Sequence, residues 1–196
     1  MEFLLAIAAS TGVVFVAEMG DKTQLVAMSL ATRYRAATVL LGITAATLAV
    51  HGVSVLIAEV LGLALPTDWI TLAAGIAFVC FGVWTLLGDE LTDKDEERAA
   101  SRRIRSGVVT VAVVFFIAEL GDKTMLATIT VGTRYDWLPV WIGSTAGMVV
   151  ADALAIGLAA LLGKKLPERA IQIGAALLFF LAGGAMVFQG VRAVAS

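Results

Sequence analysis

Long apolar runs alternate with short polar stretches along the whole chain. Six such runs cover about residues 3–30, 38–63, 69–87, 108–131, 140–162 and 170–191. Each run is near or above the roughly 20 residues that a helix needs to cross a hydrocarbon core of about 30 Å. Continuous apolar runs of this length indicate membrane-spanning helices. The pattern therefore predicts six transmembrane helices, three on each side of a central polar stretch.

The central polar stretch interrupts this pattern abruptly. It covers residues 89–106, where acidic residues come first and basic residues follow. Charge blocks of this kind are usually solvated. We therefore predict three parts: a first three-helix repeat at 1–88, a charged connector at 89–106 and a second three-helix repeat at 107–196.

The two halves repeat each other with a constant offset of 101 residues. Over residues 15–34, 11 of 20 positions are identical to the copy, without a gap. Such self-similarity indicates an internal duplication. Because each half has an odd number of spans, the second copy must enter the membrane from the opposite side. The sequence thus predicts an all-α integral membrane protein with six transmembrane helices in two inverted three-helix repeats, which is an architecture of transporters.

Composition agrees with a membrane protein and narrows the function. The chain is 60% hydrophobic and 15% charged, with a mean hydropathy of +0.94. Its single cysteine, Cys80, rules out an intramolecular disulfide. No nucleotide motif, basic tail or plausible set of nucleophile and base is present. We therefore expect no enzymatic activity and no nucleic-acid partner.

The basic residues near the ends of the runs predict the orientation. Ten Lys and Arg residues follow the first, third and fifth runs, whereas the opposite side has only Arg134 and Arg192. Basic residues concentrate in cytoplasmic loops. We therefore expect a cytoplasmic connector and both termini outside.

One motif stands in the middle of the first run and again in the fourth. The first copy contains Glu18, Gly20, Asp21, Lys22 and Thr23. Charges within a membrane span are costly and indicate a functional site. On an unbroken helix the two acids share a face but the threonine does not. The glycine permits local unwinding, as in the broken helices of transporters. The second copy contains Glu119, Gly121, Asp122, Lys123 and Thr124.

The two motifs together supply four carboxylates and two hydroxyls. Oxygen ligands suit Ca²⁺ or Mn²⁺ better than Zn²⁺ or Cu²⁺. With the two lysines the formal charge is −2, which one divalent cation or two protons would neutralise. Because bare charges are costly in a low dielectric, the carboxylates should bind protons when no metal is bound, and this competition would be the basis of exchange. The candidate metal ligands are Glu18, Asp21, Thr23, Glu119, Asp122 and Thr124.

The lysines of the motifs have two interpretations. Each follows the glutamate of its own repeat by four residues, so Lys22 and Lys123 can pair within their own helix. Alternatively, each crosses to the opposite repeat and occupies the site when the cation leaves, which is a gating role. Both interpretations stay open at this point.

Three further positions add candidate groups for proton transfer or for metal preference. His51 and Asp152 lie in mid-span at equivalent positions of the two repeats. For Asp152 we favour a proton relay or a support for the ligands. For His51 a hydrogen-bonded core histidine is the stronger interpretation, with a proton relay as the alternative. Met125 occupies the position of Gln24 in the repeat, and its thioether either favours Mn²⁺ slightly or only packs.

The sequences Glu-Met-Gly-Asp-Lys-Thr and Glu-Leu-Gly-Asp-Lys-Thr match the Glu-apolar-Gly-Asp-basic-Ser/Thr signature of a known family. The chain resembles, over essentially its whole length, the cation/proton antiporters related to the Golgi Gdt-type calcium and manganese transporters and the bacterial manganese exporters. This resemblance implies export of Mn²⁺ or Ca²⁺ from the cytosol in exchange for protons, with the motif acids and threonines as the cation site. No organellar targeting segment precedes the first run, which favours a bacterial plasma membrane.

The expected function is therefore a secondary transporter that exports a divalent cation, Mn²⁺ first, in exchange for protons at a midplane carboxylate site. Its partners would be the metal ion, protons and the lipid bilayer, with no resident cofactor and with homo-oligomerisation left open. A Ca²⁺-selective exchanger of the same fold is the first alternative. A cation channel, an amino-acid exporter and a non-transporting scaffold are the others.

Overall fold

The computed structural model describes residues 1–64, 66–87, 106–162 and 168–195, and all regular structure in these ranges is α-helical. The predicted connector lies outside the described residues, except for its last residue. Lys164 and Lys165 of the loop after the fifth run also lie outside them. The helices are α1 (Glu2–Glu18), α2 (Lys22–Ala31), α3 (Ala36–Ala64), α4 (Thr67–Leu87), α5 (Gly107–Glu119), α6 (Lys123–Gly132), α7 (Trp137–Leu162) and α8 (Glu168–Val194).

Two of the six predicted runs are broken, and both breaks fall inside the repeated motif. The first run forms α1 and α2, which meet at an angle of 80°. The fourth forms α5 and α6, and the remaining runs are the single helices α3, α4, α7 and α8. Within the described residues, four helices are long and apolar enough to cross a membrane, or five spans if the bent pair α1–α2 counts as one. The fold is thus an all-helical membrane protein.

The outer surface of the helices is apolar, as a lipid environment requires. Leu181 on α8 is 72% exposed, Leu56 on α3 is 64% exposed and Leu154 on α7 is 51% exposed. Large exposed apolar surfaces mark contact with a membrane or another protein. Aliphatic side chains in contact with lipid tails need no other partner.

Helix packing follows the sequence duplication. Helix α1 packs on α7 and α5 packs on α3, while α4 packs along α8. A Cβ atom on Gly42 of α3 would clash with Val111 of α5, and one on Gly143 of α7 would clash with Ser10 of α1. These two close contacts are related by the 101-residue offset, and small residues at such places let helix backbones approach. The same contact is therefore made twice, once by each half.

An aromatic cluster joins the α4–α8 pair to the broken helices. The rings of Phe78, Phe81 and Phe179 lie with centroids 5.7 to 6.1 Å apart. Ala17 of α1 and Ala127 of α6 are buried in the same cluster. Because Ala17 directly precedes Glu18, this cluster forms an apolar wall beside the motifs.

Candidate cation site at the two broken helices

The first break is a tight turn formed by the motif itself. The Asp21 N–H donates to the Glu18 carbonyl oxygen at 3.1 Å. Met19 has φ −63° and ψ 119°, and Gly20 has φ +74°. These are the values of a type II β-turn, whose third residue needs a positive φ and is therefore usually glycine. The order glutamate, any residue, glycine, aspartate thus ends one helix and begins the next.

The second break has the same geometry. The Asp122 N–H donates to the Glu119 carbonyl oxygen at 3.2 Å, and Gly121 has φ +81°. In both copies the aspartate then caps the following helix, since the Asp122 side chain accepts from the Lys123 N–H at 2.8 Å and the first copy does the same at 2.7 Å. The sequence prediction of unwinding at the glycines is confirmed.

Each turn brings the threonine onto the glutamate. The Thr23 hydroxyl donates to the Glu18 carboxylate at 2.5 Å, and the Thr124 hydroxyl donates to Glu119 at 2.5 Å. Residues five apart on a continuous helix do not face each other, so this bond depends on the break. Within the described ranges, Glu18 Oε2 is buried and has no hydrogen-bond partner.

The group around the turns contains more buried charge than packing would explain. Six charged side chains each expose 3% or less of their surface. Buried charges are strongly unfavourable unless they are paired or bind ions. A functional role is therefore the better explanation. The six are Glu18, Asp21, Glu119, Asp122, Lys123 and Asp152.

The lysine of the second motif reaches the opposite repeat. The Lys123 Nζ atom lies 3.4 Å from Asp21 Oδ1. The same lysine interacts electrostatically with Glu119 of its own repeat. Lys22, at the equivalent position, is only half-buried. Of the two interpretations that the sequence left open, crossing is therefore realised by Lys123.

Asp152 belongs to the same group of charges. The Glu18 carboxylate interacts electrostatically with Asp152, Glu119 and Asp21, and Asp152 interacts with Glu119 as well. Neither carboxylate oxygen of Asp152 has a hydrogen-bond partner in the part of the chain that the structure describes. The acids of the two repeats and the mid-span acid of α7 therefore form one electrostatic group.

His51 is fully buried on α3, and neither ring nitrogen has a hydrogen-bond partner among the described residues. The hydrogen-bonded core histidine that the sequence favours therefore stays a prediction, since no partner for it is found among the described residues. An imidazole with no partner leaves the alternative of a proton relay open.

The carboxylates are near each other but not gathered as tightly as bound metal requires. In the described ranges, no three Asp, Glu, His or Cys side chains lie close enough together to hold one ion. A divalent cation shared by both motifs would therefore need the side chains to move inward. The Lys123 ammonium group already lies beside one of these carboxylates, that of Asp21.

Two amide side chains, which the sequence analysis did not assign to the site, hold the first turn. The Gly20 N–H donates to Gln24 Oε1 at 3.0 Å, and Gln24 Nε2 donates to the Ala151 carbonyl at 3.4 Å. Gln172 of α8 donates to the Gly20 carbonyl at 3.4 Å. The available signal was an amide inside an otherwise apolar run, because an amide there needs polar partners.

The second turn lacks this cover. The Gly121 N–H donates to the Met125 sulfur at 3.3 Å. Among the described residues, no atom lies within 4 Å of the place that a Cβ on Gly121 would occupy. The two turns share their backbone geometry but not their surroundings.

Long apolar helices, two helices broken at a repeated acidic turn and a buried charge group define an all-helical membrane protein with an acidic site between its helices. The sequence comparisons are more specific. The chain matches the family described as "Divalent cation/proton antiporter GDT1" over residues 6–93 and 107–193, and it belongs to this family. The resemblance expected from the motifs is thereby confirmed. The family consists of transporters and not of enzymes.

Individual relatives cover most of the chain. It is 35% identical to a "Putative manganese exporter" of Vibrio cholerae, over 94% of this chain and 90% of that protein. It is 30% identical to GDT1-like protein sll0615 of Synechocystis, over 91% of this chain and 94% of the relative. It is 33% identical to Protein PAM71, chloroplastic, of Arabidopsis thaliana, over 86% of this chain and 52% of that protein. No solved structure matches the chain.

Proposed function

We propose that the protein is a secondary transporter that exports Mn²⁺, with Ca²⁺ as the alternative cation, in exchange for protons at one site shared by both repeats. The ion pair between Lys123 and Asp21 is the observation that carries this proposal, because it joins the two motifs within a group of buried carboxylates. The proposed ligands are Glu18, Asp21, Thr23, Glu119, Asp122 and Thr124.

Competition for the same carboxylates would couple the metal to protons. Lys123 lies 3.4 Å from Asp21, so a divalent cation approaching Asp21 repels the ammonium group and replaces it. When the metal leaves, the remaining carboxylates need protons or lysine as compensation, since uncompensated buried charge is strongly unfavourable. Metal and protons thus exclude each other, and this exclusion is the condition for exchange.

Asp152 is the group that we assign to proton transfer. It interacts with both Glu18 and Glu119, and no hydrogen bond from the described residues ties up its oxygens. A proton released by either glutamate therefore has a nearby acceptor on a third helix. His51, at the equivalent position of the other repeat, is the second candidate for this role.

The paired helix contacts support the proposal of two inverted repeats. Contacts between α1 and α7 recur between α5 and α3, which is the pattern of a two-fold axis relating the halves. If each half spans the membrane three times, this axis lies in the membrane plane. We propose six spans, a cytoplasmic connector at 89–106 between repeats at 1–88 and 107–196, and termini outside a plasma membrane. Basic residues support the orientation.

One observation favours Mn²⁺ over Ca²⁺, and a second favours both of these ions over softer metals. The bacterial relative with 35% identity carries the name of a manganese exporter. The candidate ligands are oxygen atoms, which bind Mn²⁺ and Ca²⁺ but are poor partners for softer metals. Oxygen ligands alone do not discriminate between these two ions, so Ca²⁺ stays as the alternative.

The proposal is tested with purified protein in liposomes that contain a trapped pH dye. Uptake of Mn²⁺ should move protons in the opposite direction. We expect Asp21→Asn and Asp122→Asn to lower the rate of exchange at least about tenfold, by analogy with the loss of groups that support a metal. Glu59→Gln is the matched control, since Glu59 is an exposed acid on α3 outside the motifs. Normal exchange in both aspartate variants would rule out the shared site.

A further inference from the structure

The residue that follows the motif threonine differs between the two repeats, and this difference carries an inference about selectivity. Gln24 stands on α2 where Met125 stands on α6. Both side chains fold back over their turn and accept the glycine N–H, Gln24 through oxygen at 3.0 Å and Met125 through sulfur at 3.3 Å. The duplication thus puts a hard amide oxygen and a soft thioether at the same place relative to two otherwise identical motifs.

The two side chains are held unequally. Gln24 makes a second hydrogen bond, to the Ala151 carbonyl at 3.4 Å, and Gln172 covers the turn beside it. Met125 is half-buried at an exposed turn. A thioether is a weak hydrogen-bond acceptor, and methionine is flexible. The sulfur is therefore the more easily released of the two groups.

The acids that flank the turn beside Met125 can supply further ligands to a metal ion that contacts the sulfur. Glu119 and Asp122 bound the turn, and both are buried. Within the described ranges, Asp122 Oδ2 has no hydrogen-bond partner. The sulfur thus lies at the exposed Gly121, between the two buried acids in sequence.

We propose that Met125 is a specificity-determining residue, through which the second motif favours Mn²⁺ and softer divalent ions over Ca²⁺. This inference rests on the proposed function and deepens it. Carboxylate oxygens accept both ions, whereas thioether sulfur is a ligand for transition metals and a poor one for Ca²⁺. A contact with the sulfur therefore disfavours Ca²⁺ more than Mn²⁺, although Mn²⁺ is itself bound mainly by oxygen ligands.

The test compares Met125→Gln and Met125→Leu with wild type in liposomes supplied with MnCl₂, with CaCl₂ or with both. Met125→Gln makes the two motifs alike, and Met125→Leu keeps an apolar side chain of similar size without sulfur. We expect both variants to lower the ratio of Mn²⁺ to Ca²⁺ transport about tenfold, which corresponds to the loss of one modest ligand contact. Inhibition of Mn²⁺ transport by Cd²⁺, a soft ion, should weaken in parallel.

The reciprocal variant Gln24→Met is the matched control, and we expect it to change the ratio less than about twofold because Gln172 still covers the first turn, whereas no described atom lies within 4 Å of a Cβ at Gly121. If Met125→Leu keeps the wild-type ratio of Mn²⁺ to Ca²⁺ transport, the sulfur does not determine selectivity. The proposed exchange function would be unaffected by that result. An equal change in Gln24→Met would overturn the assignment to the second motif. Wild-type protein that moves neither ion would instead overturn the proposed function, and this inference with it.

Discussion

The two broken turns have the same motif but different neighbours. The first turn is enclosed, because Gln24 and Gln172 bond its glycine from two sides. The second turn is exposed, and Leu120 within it is 46% exposed. The lysines of the two motifs also differ in burial. Lys123 is buried and pairs with Asp21 of the opposite repeat, whereas Lys22 is half-buried.

This difference shows that near-identical sequences need not have identical environments. Residues 101 positions apart have the same backbone conformation in the two turns. Both glutamates also accept a hydrogen bond from the threonine of their own motif at 2.5 Å. What differs is the packing of α8 over the first turn. The asymmetry therefore lies in the surroundings of the two turns and not in their backbones.

The largest expected difference concerns the lysines. Lys123→Met removes the buried partner of Asp21 and leaves uncompensated charge, so we expect a loss of about 3 kcal/mol in stability. Lys22→Met should cost about 1 kcal/mol or less, because the half-buried Lys22 side chain is partly solvated and charge interactions in contact with solvent contribute little. Thermal unfolding in detergent measures both, at roughly 2–4 °C per kcal/mol for a chain of this length.

A double variant makes the lysine comparison specific. Adding Asp21→Asn to Lys123→Met removes the uncompensated carboxylate, so part of the lost stability should return. Equal losses in the two single lysine variants would contradict the cross-repeat pair.

The glycines give the next largest difference. Alanine at either position must adopt a positive φ, which costs about 1–2 kcal/mol. At Gly20 a Cβ would also lie 2.8 Å from Gln172 Cγ, whereas no described atom lies within 4 Å of a Cβ at Gly121. We therefore expect Gly20→Ala to destabilise more than Gly121→Ala, measured by thermal unfolding. Adding Gln172→Ala should remove the excess, and an unchanged excess would contradict the enclosure of the first turn.

Much of the fold could be predicted from the sequence because its causes are local. Apolar runs predict the helices. The glycine of each motif predicts the breaks, because a type II turn needs a positive φ that glycine adopts readily. The convergence of Thr23 with Glu18 could also be anticipated, since an unwound motif was the only way to join them. The acidic group around both motifs follows from the residue types and the repeat.

The rest could not be predicted because it depends on packing between distant segments. Lys22 and Lys123 stand in the same local sequence, so no local rule shows that Lys123 is the more buried of the two. The approach of Gln172 to Gly20 joins residues 152 positions apart. His51 and Asp152 are equivalent in the repeat, but only Asp152 interacts with Glu18 in the described structure.

The smallest expected effect on stability concerns Gln172. Its hydrogen bond to the Gly20 carbonyl is 3.4 Å long, so Gln172→Ala should cost less than about 1 kcal/mol. Its effect on access should be larger. In a Cys80→Ser background, we expect Leu120→Cys to react faster than Met19→Cys with a small water-soluble maleimide, since Met19 lies in the enclosed turn. Adding Gln172→Ala should raise the rate at Met19→Cys several-fold and leave Leu120→Cys unchanged. If Met19→Cys and Leu120→Cys react equally before Gln172 is changed, the two turns are equally open, and the difference between the halves is limited to their lysines.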